Sequence, residues 1–127
     1  QILLLWDGSN SGEFIKSNKG ILSSTMSVIN DIKINKDFSF YYFKASEKYI
    51  KDQTIGMGIP HVDSKILKNI HFTVPPKNEQ QKIAKYIYSK SEKIEKTINY
   101  QISQIEKLKE YKSVLIDSAV TGKIKVS

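Results

Sequence analysis

Ser9 and Asn10 lie between Gly8 and Gly12, and His61 follows Gly56-Met57-Gly58-Ile59-Pro60. Short polar side chains and an imidazole held in glycine-rich turns can donate and accept hydrogen bonds at an exposed surface. Gly56-Met57-Gly58 could suggest a phosphate cradle. It lacks a third glycine in register and a following Lys-Ser or Lys-Thr, so a tight turn is the plainer reading. His61 could bond a base edge or a phosphate, or simply face solvent. His71 lies in an alternating stretch and reads as structural. With two histidines and no cysteine, a metal site would need carboxylates to complete it. Asp7, Asp31, Asp52 and Asp63 are scattered, each in or before a turn, where Asp commonly bonds nearby backbone. Metal-assisted hydrolysis needs clustered acids. No catalytic residue, metal or cofactor is therefore expected, and an enzyme is the least supported class.

Charge points elsewhere. The formal net charge is +7 and the isoelectric point is near 9.5, which suits a polyanionic partner. Residues 1–78 hold ten lysines and seven acids, and residues 79–127 hold ten and six, so the net charges are +3 and +4. Every basic residue is Lys. Without Arg the chain cannot make the planar bidentate contact to guanine, and base readout would fall to Lys, Asn, Gln, Ser, Thr, His or backbone groups. No run approaches the roughly 18 apolar residues of a membrane span. Gln1–Trp6 has no basic flank and is too short for a signal peptide. The absence of cysteine fits a cytoplasmic protein.

The elements that must position these residues form an α+β chain in two segments, 1–78 and 79–127. The first reads as short strands and turns: Ile2–Trp6 is an apolar run, Phe14 and Ile15 follow a turn-rich stretch, and Met26–Ile29 and Ile32–Ile34 have strand-like apolar placement. Phe38–Phe43 is a strand or the start of a helix. Its aromatics could stack on bases, but such clustering favours a core. Ala45–Ile50 predicts a short helix, Ile66–Ile70 a turn or helix, and His71–Val74 a strand. The second segment has no Gly or Pro from 79 to 118 and predicts one long helix, stopped at Gly122. Its apolar residues follow a heptad. One core position runs Ile87, Ile94, Gln101, Leu108, Leu115, and the other runs Ala84, Ser91, Ile98, Ile105, Lys112. A helix with such a stripe needs a partner helix, and the chain holds no second one. Gln101 inside the seam would either fix register and orientation or stay partly exposed. Lys82, Lys85, Lys90, Lys93 and Lys96, interleaved with Glu92 and Glu95, read first as a solvated face, and second as phosphate or subunit contacts.

Val74-Pro75-Pro76-Lys77-Asn78-Glu79-Gln80-Gln81-Lys82-Ile83-Ala84, two prolines and Glu-Gln opening a long helix, resembles the specificity subunit of type I restriction–modification systems. Leu4–Ser9, Gly56–Val62 and Leu108–Ile116 with Ala119–Ile124 resemble further stretches of that family. The likeness runs over nearly the whole chain. It implies the C-terminal part of a target recognition domain, N-terminally shortened, followed by a conserved spacer helix. It also implies a non-catalytic DNA-binding component, with double-stranded DNA and the modification (methyltransferase) and restriction subunits as partners. A second copy of the chain, or another specificity chain, would pair antiparallel with the long helix. On this resemblance Ser9, Asn10, Lys19, Met57 and His61 are the expected DNA contacts. Ile87, Ile94, Ile98, Gln101, Ile105, Leu108 and Leu115 are the expected helix interface. The alternative is a coiled-coil adaptor whose head no longer binds DNA. Steeply salt-dependent duplex binding separates the two.

Overall fold

The structure is a computed structural model that describes residues 1–30, 32–56 and 58–126. Asp31, read above as a turn residue, and Met57 lie outside the described residues. The elements in order are β1 (Ile2–Leu5), β2 (Phe14–Lys16), β3 (Met26–Ile29), α1 (Lys36–Lys51), α2 (Ser64–Lys68) and α3 (Lys77–Val120). The mixture of a small sheet and helices is the expected α+β class.

The sheet order is β2-β1-β3, and both outer strands run antiparallel to β1. The register sets Leu3 opposite Ile15 and Val28, and Leu4 opposite Phe14 and Ser27. β1 has no polar residue, so it suits the central position, where both faces are covered. Ile2, Leu3 and Leu4 are all buried. Ile2 and Leu4 join Phe14, Phe43, Ile50 and Val62 in the core.

Phe38 to Phe43 is not a strand. It belongs with Ala45–Ile50 to the single helix α1, whose Phe38, Phe43 and Ile50 face inward. The side chain of Asn35 accepts from Phe38 N at 2.9 Å and caps the first turn, while Lys48 and Lys51 sit favourably in the last. Phe14 and Phe43 stack at 4.7 Å between centroids, which joins α1 to β2. The clustered aromatics thus contribute to the core, with Phe38 and Phe43 buried and Phe40, Tyr41 and Tyr42 half-buried.

Two expected strands are absent. Ile32–Ile34 is irregular chain that leads into the Asn35 cap, and Ile32 packs against the core without a ladder partner. His71–Val74 is also irregular. Its alternation reflects packing rather than pairing. Phe72 lies 4.3 Å from the Tyr42 ring and 5.2 Å from that of Phe43, and Tyr42 Oη donates to the His71 carbonyl at 2.9 Å. His71 itself is exposed.

The chain forms two compact units, Gln1–Ile87 and Tyr88–Ser127. α3 has 44 residues and runs about 66 Å at 1.5 Å per residue. It opens after Pro75-Pro76, with Glu79 N and Gln80 N donating to the Pro76 carbonyl. It closes at Gly122, whose φ of +71° is the left-handed conformation common after a helix end. Ile124 N reaches back to the Ser118 carbonyl at 3.1 Å.

Candidate nucleic-acid interface

The turn from Trp6 to Glu13 closes the β1–β2 hairpin. Gly12 N donates to the Leu5 carbonyl, and Leu5 N to the Glu13 carbonyl, both at 2.8 Å. Inside it, Ser11 N donates to the Gly8 carbonyl at 2.9 Å and Glu13 N to that of Asn10 at 3.2 Å. Gly12 has φ +87°, and a Cβ there would stand 3.1 Å from the side chains of Ile50 and Lys51. Glycine therefore allows α1 to approach the turn. Ser11 is buried, so the hairpin presents Ser9 and Asn10 as its exposed polar tip.

The second turn is clamped at its base. Ile55 N donates to the His61 carbonyl at 3.0 Å, and His61 N to that of Ile55 at 2.9 Å. Gly56 has φ +121°, and a Cβ there would lie 2.5 Å from the Ile59 carbonyl oxygen and 3.1 Å from His61 Nδ1. A side chain at 56 would therefore collide with the loop backbone and the imidazole. Ile59 is exposed and His61 half-buried.

The two turns meet. Val62 N donates to the Trp6 carbonyl at 3.0 Å and Gly8 N to the Pro60 carbonyl at 2.9 Å, while Asp7 and His61 form an antiparallel bridge. Ser9, Asn10 and His61 are thereby brought to one end of the sheet. Lys19 is not. It is exposed beside Gln1, Ser17 and Gly20, at the end where β1 begins. Met57 belongs by sequence to the second turn.

Three lysines of the first unit are held in ion pairs. Lys51 Nζ meets Glu13 Oε1 and Lys44 Nζ meets Glu47 Oε1, both at 2.6 Å, and Lys16 Nζ meets Asp37 Oδ1 at 2.9 Å. The Lys51 hydrogen bond holds the Glu13 carboxyl below the usual carboxylate range, outweighing the opposing effect of desolvation. Glu47 Oε1 also accepts from Phe14 N at 2.7 Å, so these pairs fasten α1 to the hairpin. Among the described residues, no group of three or more His, Cys, Asp or Glu could hold a metal ion.

Along α3 the seam is open. Ile87 is half-buried, whereas Ile94, Ile98, Gln101, Ile105, Leu108 and Leu115 are exposed. Ile94 and Leu108 show 60% and 65% of their surface. Gln80, which the heptad reading passed over, is only 2% exposed. Its Oε1 accepts from Asn35 N at 2.9 Å and its Nε2 donates to the Pro75 carbonyl at 2.8 Å. One amide thus ties the start of α3 to the α1 cap and to the first proline, which gives the Pro-Pro…Glu-Gln motif a physical role. The signal in the sequence is the Gln that follows Glu79 in that motif.

Comparison with known proteins follows the same lines. Residues 1–104 match the family model described as the type I restriction modification DNA specificity domain. The chain is 51% identical over 110 residues to the type I restriction enzyme MjaVIII specificity subunit of Methanocaldococcus jannaschii, an alignment covering 85% of this chain and 26% of that protein. The chain therefore spans about a quarter of the length of that relative. No solved structure matches it. A match over most of the chain, with half of the aligned residues identical, places the protein in the family of type I restriction–modification DNA specificity domains.

Proposed function

We propose that this chain recognises double-stranded DNA by sequence, by binding alone, as part of a type I restriction–modification assembly. The observation that carries the reading is the convergence of two glycine-shaped polar turns at one end of the sheet, in a chain of this family. The amide of Asn10 can both donate and accept, which suits the adenine edge in the major groove. Ser9 and His61 offer further donors and acceptors beside it, Met57 an apolar contact, and Lys19 a phosphate contact farther off. Residues 1–78 act as the recognition part and 79–127 as a spacer helix and tail.

The exposed seam of α3 supports pairing with another helix, antiparallel, from a second copy or from another specificity chain. The same helix docks the modification and restriction subunits, which supply methyl transfer and cleavage in the cytoplasm.

The test is selection of bound sequences from a randomised duplex library. A preferred sequence should emerge, and Asn10→Ala and His61→Ala should each weaken its binding by about 1–3 kcal/mol. Unchanged selectivity in both variants would remove these residues from base readout. The purified chain with methyl donor, ATP and magnesium should leave duplex DNA unmodified until modification subunits are added.

A further inference from the structure

Lys65 and Lys68 lie on α2, just beyond the clamped turn that ends at His61. α2 is held in place from several sides. Val62, directly before it, is 2% exposed and donates its N–H to the Trp6 carbonyl. Asp63 caps the helix by accepting from Lys65 N at 2.8 Å. Leu67 and Ile70 pack against the core. Side chains three apart share a helix face, so Lys65 and Lys68 project together, and both are exposed. Lys16, Lys44 and Lys51 are each neutralised by an acid of the same unit. Lys65 and Lys68 form no ion pair among the described residues. Other lysines of the unit, Lys19, Lys33, Lys36 and Lys48 among them, are likewise outside these ion pairs; what sets Lys65 and Lys68 apart is that they sit together on a short element fixed to the end that carries Asn10 and His61.

We infer that Lys65 and Lys68 form a phosphate-contacting pair that seats this end of the unit on the backbone of duplex DNA. The inference rests on the DNA-binding reading above. A lysine ammonium is a point charge on a flexible stem, suited to phosphate and unsuited to fixed bidentate base contacts. Contacts of this kind set register and orientation without choosing sequence. The pair would therefore add affinity equally at every sequence and leave selectivity to the turns.

Salt dependence tests this directly. Binding of the full 127-residue chain to a labelled randomised duplex is followed between about 50 and 200 mM potassium chloride. Lys65→Ala and Lys68→Ala should each reduce the slope of log K against log salt by about one, and the double variant by about two. Lys65→Gln with Lys68→Gln, which keeps much of each stem, should do the same. Lys123→Ala removes the same charge where Asp117 already pairs with it at 2.9 Å, and should leave the slope unchanged. An unchanged slope in both double variants, with the wild type binding, overturns the phosphate assignment and leaves the DNA-binding reading intact. Weakening confined to particular sequences also overturns it, because the lysines would then be reading bases. A wild-type chain that binds no duplex overturns both.

Discussion

Gln80 and Ala84 share a helix with Ile94, Ile98 and Leu108, yet the first two are buried and the other three are exposed. In the unit Gln1–Ile87, apolar surface and buried polar atoms find partners within the chain. Leu4 and Phe14 are completely covered, and both polar atoms of the Gln80 amide are paired. In the unit Tyr88–Ser127 the same helix shows its apolar stripe to solvent. An uninterrupted helical ladder satisfies the backbone of both stretches equally. What differs is the supply of neighbouring side chains within the chain.

The largest effect expected from this contrast is on assembly. Ile98→Lys with Ile105→Lys should abolish helix pairing, because each buried Ile is worth about 1.5–3 kcal/mol and each new charge opposes burial. Sedimentation should show a monomer or an aggregating chain. A compact, stable wild-type monomer at micromolar concentration would break the comparison at its root.

Within the first unit, Leu4→Ala should cost about 2–5 kcal/mol, through lost burial and the cavity left behind. Denaturant unfolding should show a lower midpoint, and the α3 seam should keep its capacity to pair.

Gln80→Ala sharpens the comparison where the two environments adjoin. It orphans the Asn35 N–H and the Pro75 carbonyl and should cost about 1–3 kcal/mol. Gln80→Glu keeps an acceptor for Asn35 N but offers no donor to the carbonyl when ionised. It should therefore be destabilising too, with part of the loss recovered in acid as the carboxyl gains a proton.

The smallest effect should come from Glu13. Its folded carboxyl lies below its ordinary value of 4.5, so the stabilisation from Lys51 is present above that value. It is lost as pH falls through the lower folded value. Glu13→Gln should remove this contribution and flatten acid unfolding slightly. The pair is partly exposed, so solvent screening keeps the change small. An identical acid limb in the variant and the wild type would remove the pair from the stability account.

Much was legible in the residues alone. Ile2–Leu5 and Met26–Ile29 read as strands because apolar residues are concentrated there between turn-forming stretches. α3 read as a helix because a heptad is sustained without Gly or Pro, and Gly122 read as its stop. The turn or helix expected over Ile66–Ile70 is a short helix that forms two residues earlier, at Ser64–Lys68, because Asp63 supplies the cap.

The sequence by itself determined the long helix, its apolar seam, the polar glycine turns and the apolar runs at Ile2–Leu5 and Met26–Ile29, all of which depend on local conformational preference and periodicity. Tertiary structure alone decided the rest. It made one helix of Lys36–Lys51, since a run of aromatics suits strand and helix alike until packing on Phe14 selects the face. It left Ile32–Ile34 and His71–Val74 out of the sheet, since a strand exists only where another strand offers its backbone. It joined the turns at Asn10 and His61 through Gly8, Pro60, Trp6 and Val62, and left Lys19 at the opposite end. It also buried Gln80, whose two partners lie on other segments. Contacts between residues far apart in sequence leave no local period to read.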